Sequence, residues 1–248
     1  MRRTYAMYGL SCGLALAAVA MLGCGLLPGR NRQSSPGSAV PAPSTPAATA
    51  PAGRFTEPAD PCAAVAPATA QRFKMDRPKT VSLPGMDADP NTGKLVSYQN
   101  LKCSWSIDNP AKGPDGRPNY IDVTVTYSVI DRTFPTAVDV ARGIYELRKE
   151  KQAGDANRSV QRTDSPTGLG DEASYSFAVT TSSLGQSGDA VLLILSSNAT
   201  VSISTSGADL LMDRSKPVGH QLYTRPLAEG QLQATVLGIA GEVMGLLG

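Results

Sequence analysis

Histidine occurs once in this 248-residue chain, at His220, and tryptophan once, at Trp105. A single imidazole excludes sites built on paired histidines. No G-x-S-x-G elbow or reactive-cysteine motif accompanies His220 to make it a general base, so the sequence assigns it to an exposed loop. Charge of either sign is not in excess, with 23 basic and 21 acidic side chains, and this leaves no electrostatic footprint for nucleic acid. Beyond the N-terminal segment, no apolar run approaches the ~20 residues that span a bilayer. Nothing in the pattern calls for a metal or a cofactor.

What is present begins with export. Arg2 and Arg3 precede an uncharged apolar run from Ala6 to Leu22, and Gly23 sets a small residue before Cys24. This is the layout of a bacterial lipoprotein signal. It places a signal peptide at residues 1–23 and a diacylglyceryl group on the Cys24 thiol. Acyl chains at about 0.8 kcal/mol per buried CH₂ then hold the protein on the membrane. Met21 and Leu22 depart from the usual Leu and small residue at those positions, and an uncleaved anchor over Ala6–Leu27 is the competing account. Gly9, Ser11, Gly13 and Gly23 dilute that run, and Arg30 and Arg32 weaken a positive-inside asymmetry, which favours the lipoprotein signal. Both accounts leave the remaining chain outside the cytoplasm, on the extracytoplasmic face of the cell membrane. Removing residues 1–23 takes two arginines and no acid, leaving 21 basic against 21 acidic side chains.

Residues 24–58 are rich in Pro, Ala, Ser, Thr and Gly and poor in large apolar side chains, so they bury too little surface to offset ordering entropy. The sequence assigns them to a disordered, lipid-anchored tether with a reach of roughly 30 Å as a coil and ~90 Å when extended. Residues 59–248 suit one domain. Cys12 leaves with the signal and Cys24 is acylated, so Cys62 and Cys103 remain to form a disulfide. Two cysteines and one histidine are a poor ligand set for zinc, the alternative use of these residues.

Within the domain, Asp60 caps a short helix begun by Pro61, and Pro67 restarts it to about Phe73. Leu101, Cys103, Trp105 and Ile107 alternate with polar residues, as do Ile121, Val123, Val125, Tyr127 and Val129. These predict an antiparallel hairpin across the turn-forming segment 109–118, with Cys103 and Trp105 facing the core. Ala137, Val140, Ala141, Ile144 and Leu147 recur at helical spacing, with Arg142, Glu146, Lys149 and Glu150 facing away. A short strand at Val160 and a Gly168–Gly170 turn lead to a strand through Ala173, Tyr175, Phe177 and Val179. A polar loop over 180–188 precedes a central strand at 191–195, a Ser197-Asn198 turn, and a strand through Val201 and Ile203. A final helix from Leu227 carries Leu232, Val236, Ile239, Ala240 and Val243. The fold class is α+β: one domain with an antiparallel β-sheet packed by helices. Hairpin followed by helix, twice, suggests a degenerate internal duplication.

Three short motifs in order, Asp60-Pro61-Cys62, Cys103-Ser104-Trp105 and Gly168-Leu169-Gly170-Asp171-Glu172-Ala173, resemble the actinobacterial lipoprotein family that carries domain of unknown function 3558. The resemblance spans roughly residues 58–245. It implies a secreted, lipid-anchored α+β domain without an assigned activity.

Other polar groupings read as structural. Asp87, Asp89 and Asn91 start like a calcium loop, but Pro90 intrudes, Gly93 falls late and Tyr98 stands at the glutamate position, which favours a surface turn. Asp171 and Glu172 are adjacent, so on a strand they point to opposite faces and cannot act as a carboxylate pair. Asn198-Ala199-Thr200 matches a glycosylation acceptor and reads as a hairpin turn. With export, tether, disulfide and no reactive constellation, the expected role is a non-catalytic binding or adapter module at the cell envelope. Its partners are the membrane, through the lipid, and an envelope protein or lipid ligand. A carrier for a small apolar or lipidic ligand is the alternative, and an uncharacterised enzyme the third.

Overall fold

The computed structural model describes residues 53–89, 92–112, 118–183, 185–217 and 222–247. Cys12, Cys24, His220 and the turn at 113–117 lie outside the described residues.

A 3₁₀ turn at Pro61–Ala64 opens the domain, its first amide held by Asp60: Cys62 N donates to Asp60 Oδ1 at 2.8 Å. Helix α1 (Pro67–Arg72) follows, then strands β1 (Met75–Ala88), β2 (Leu95–Lys112) and β3 (Pro118–Val129), and helix α2 (Ala137–Gly154). The second half comprises β4 (Arg158–Asp164), β5 (Glu172–Ser182), β6 (Gly185–Ser196), β7 (Ala199–Met212), β8 (Leu222–Pro226) and helix α3 (Glu229–Gly245). All eight strands form one sheet in the order β1-β2-β3-β7-β8-β6-β5-β4, with β7 and β6 also paired directly. β7 pairs β6 over its first half and β8 over Ala208–Met212. Every pairing is antiparallel except the single β6–β8 bridge, Gly185 to Thr224, so the sheet is mixed rather than purely antiparallel.

Alternation assigns the two faces. Cys103 and Trp105, Val123, Val125 and Tyr127, Val201 and Ile203, and Leu192 and Ile194 share one face, against Leu232, Val236, Ile239 and Val243 of α3. Each of these buried side chains contributes on the order of 1.5–3 kcal/mol. The Tyr127 hydroxyl reaches across this core to donate to Val243 O at 2.8 Å. Cys62 and Cys103 form the disulfide, with Cα atoms 5.1 Å apart, and so fasten the opening turn to the same face. The opposite face carries Val96, Tyr98, Leu193 and Leu195 against Ala137, Val140, Ala141, Ile144 and Tyr145 of α2.

The sheet is larger than the sequence pattern indicates. β1 contains Pro78, Pro84 and Gly85, residues that demote a strand in sequence; it lies at the sheet edge, where proline costs no ladder bond, and carries a bulge between Asp76 and Lys79. Residues 180–182 and 185–188 extend the β5–β6 hairpin instead of looping, their polarity matching the exposure of Thr181 and Ser182. β8 carries no alternating pattern because most of it is exposed. Leu147 is not in the buried stripe of α2 but 40% exposed; Tyr145 takes the buried place. The segment 53–58, tether-like in composition, is seated on the domain through Phe55 and the buried Pro58.

Candidate functional site

Helix α2 changes character along its length. Its first half buries Ala137, Val140, Ala141 and Ile144, yet one turn further the inward position is Arg148, followed by Lys151 and Gln152. The sheet beneath changes with it, because α2 passes from Leu193 and Leu195 toward the hydroxyl-rich face of β2, β3 and β7. Lys102, Thr126 and Ser202 stand opposite one another in a row across those three strands. Between helix and sheet they enclose an open cavity of about 390 Å³, lined also by Asn100, Arg148 and Lys151.

Arg148 is held from one side only. Its Nη2 donates to Asn100 Oδ1 at 2.9 Å and to Ser128 Oγ at 2.6 Å, while its Nη1 is buried with no hydrogen-bond partner. Burial lowers the guanidinium pKa from its ordinary value, opposed by Tyr98 and by the Asp87 carboxylate. Asp87 is itself engaged, accepting from the Tyr98 hydroxyl at 2.6 Å; burial and that carboxylate push the phenol up to about 12. The Tyr98 ring lies over Gly85, where a Cβ would meet it at 2.5 Å, so glycine is what lets this aromatic cross β1. Neither Lys102 nor Lys151 makes an ion pair among the described residues.

A second cavity, also about 390 Å³, lies on the other side of the α2 C-terminal turns against β4 and β5, and Gln152 lines both. Here Arg158 donates through Nη1 to Gln152 O at 2.9 Å, taking up a carbonyl that the helix end leaves open. Its Nη2 reaches Ser176 Oγ at 3.3 Å, and Ser176 donates to Gln152 Oε1 at 3.0 Å. Lys149, which lines this cavity, is ion-paired with Glu146 and Glu172. Every polar group of the second cavity thus named has a partner, and the first cavity is the one with unspent donors.

The residues weighed in the sequence fall elsewhere. Trp105 is 4% exposed in the α3-side core. Asp89 is buried, and its carboxylate accepts from the Thr92 and Thr136 hydroxyls at 2.8 Å each, joining the β1–β2 turn to the start of α2. Among the described residues no three potential metal ligands cluster. Asp171 Oδ2 accepts from Ser197 N at 2.6 Å, whereas Glu172 pairs with Arg142 at 3.3 Å, so the adjacent carboxylates do turn apart. The turn before them needs Gly170, at φ +63°, where a Cβ would lie 2.5 Å from Leu195 O. Asn198 is fully buried in the β6–β7 turn, closed to any modifying enzyme.

Arg148 is the residue that sequence reasoning missed. The signal was available: Ile144 plus four residues is Arg148, so a cation occupies the next inward position of an apolar stripe. No protein-family model, curated protein or solved structure matches the chain.

Proposed function

We propose that the chain is a lipid-anchored, extracytoplasmic binding or adapter module, held on the cell membrane through Cys24 and acting without catalysis. The observation that carries this reading is Arg148, a cation that lines an open cavity and is fixed there through Nη2, while its buried Nη1 has no acceptor. Such an arrangement is suited to holding a partner group. It offers positive charge together with hydroxyl and amide groups. The resemblance to the domain of unknown function 3558 lipoproteins belongs to the same proposal and accounts for the order of export segment, tether and disulfide-linked domain.

The alternative carrier reading places an apolar ligand between the sheet and the terminal helix. That space is occupied by Leu232, Val236, Ile239 and Val243, all fully buried, which weighs against it.

Complementation of a deletion strain tests the binding role. Full-length chain with Glu172→Ala or His220→Ala is expected to complement, because a binding surface does not concentrate its effect in one acid or base. Either of these two variants, folded normally and yet a complete null, replaces the binding role with a catalytic one. Anchoring is tested separately: wild-type chain incorporates an acyl label, Cys24→Ser does not, and persistent labelling of the variant removes Cys24 as the lipidation site.

A further inference from the structure

We infer that the cavity beneath the C-terminal half of α2 binds the phosphate group of a phosphomonoester, an assignment that rests on the binding role proposed above. An arginine cannot shed its proton in a protein, and Nη1 of Arg148 is buried without an acceptor, so the fold retains an unspent donor at a cost in stability. The position is nevertheless built: Asn100 and Ser128 fix Nη2, and with it the plane of the guanidinium. The guanidinium of Arg148 therefore lines the cavity as a preoriented cation for an incoming oxyanion.

The surroundings select among oxyanions. Lys102 on β2 and Lys151, one turn beyond Arg148, line the same cavity, and Asp87 is the acid that acts on Arg148. Three cations against one carboxylate leave two positive charges. A phosphomonoester carries about −1.5 to −2 at neutral pH and matches that excess, whereas a carboxylate meets half of it. The Thr126 and Ser202 hydroxyls, in register with Lys102, add neutral donors for the remaining oxygens. Leu83, 51% exposed, and the buried Leu193 supply an apolar wall for the organic part of the ester.

Calorimetric titration of the full-length chain with inorganic phosphate, using acetate as the monoanionic control, tests the assignment. Phosphate is expected to bind at least tenfold more tightly than acetate. Arg148→Gln is expected to weaken phosphate at least tenfold and Lys102→Gln several-fold. Lys102 is partly exposed, so its substitution keeps the test decisive if Arg148→Gln misfolds. Phosphate binding no tighter than acetate, or unchanged in folded Lys102→Gln, overturns the assignment. Glycerol phosphate and dihexanoyl phosphatidic acid then identify the source. Equal competition points to soluble esters, and competition by the phosphatidic acid alone points to a lipid headgroup. If phosphate does not bind but a folded Lys102→Gln, Lys151→Gln double variant loses complementation, the phosphate assignment fails while the binding role stands.

Discussion

Phe55 and Asn198 exchange two hydrogen bonds across 143 residues of sequence: Phe55 N donates to Asn198 Oδ1 at 2.8 Å, and Asn198 Nδ2 donates to Phe55 O at 2.9 Å. The side-chain amide thus stands in for a neighbouring strand. Its Nδ2 also donates to Ile130 O at 2.6 Å, so one buried asparagine ties the incoming chain, the end of β3 and the β6–β7 turn together. Asn198→Ala orphans several of these groups at once and is expected to destabilise the domain by about 3 kcal/mol. Equilibrium urea unfolding measures the loss, and proteolysis after Arg54 should accelerate in parallel. An unchanged urea midpoint would remove the clamp from the account.

The second prediction concerns the crosslink. Cys62 and Cys103 are 41 residues apart, and closing a ring of that size restricts the unfolded chain. Replacing either cysteine by serine is expected to lower stability by about 2–5 kcal/mol. Peptide mapping of the purified protein without reduction should recover the Cys62–Cys103 pair; two free thiols there contradict it.

Glu242 of α3 completes the start of α1, whose N-cap residue, Ala66, has no side chain to do so. Ala66 N donates to Glu242 Oε2 at 2.9 Å, and the Thr69 hydroxyl donates to the other carboxylate oxygen. This is the reach-back bond of a capping box, supplied by another helix. The Thr69 and Ala66 donors hold the Glu242 carboxyl below its ordinary 4.5. A lowered folded value means that the contribution is fully present above the ordinary pKa and is lost as pH falls through the lowered one. Glu242→Gln is therefore expected to reduce stability at pH 7 and to flatten the acid limb below about pH 4.5. Thermal melts at pH 7 and pH 3 check both, and an acid limb as steep as the wild type's counts against this role.

Arg148→Met separates a ligand-binding arginine from a structural one by the sign of its effect. Without phosphate the substitution is expected to be neutral or stabilising, because a desolvated cation with an unspent donor is replaced by an apolar chain. Ser128 and Asn100 keep each other, since the Ser128 hydroxyl already donates to Asn100 Oδ1. With saturating phosphate only the wild type should gain in melting temperature. A marked loss of stability in phosphate-free buffer would identify Arg148 as a framework residue.

Much of this architecture was legible in sequence because it is written in alternation. The strand through Cys103 and Trp105, its partner through Ile121–Val129, and the stripe of α3 all follow from which residues must avoid water. The disulfide followed from counting thiols. Edge strand β1 was not legible, since an edge tolerates the prolines and polar residues that normally mark a loop, and most of its residues are exposed. The cavity was less legible still. Arg148, Lys102 and Ser202 are far apart in sequence and individually ordinary, and only the register of β2, β3 and β7 brings them under one helix turn.

β1 lies wholly between Cys62 and Cys103, so the sheet's edge strand belongs to a closed covalent ring whose far wall is the interior strand β2. That ring dictates how the domain bears tension. A pull from the N-terminal side first breaks the Phe55–Asn198 pair, then arrives at Cys62 and passes through sulfur directly into β2, bypassing β1. The edge strand carries no load, and peeling from the N terminus halts at the crosslink. Under oxidising conditions the domain can lose its collar at 53–58 to mechanical force and still keep its full sheet; after reduction the same force can unzip β1 from the rest.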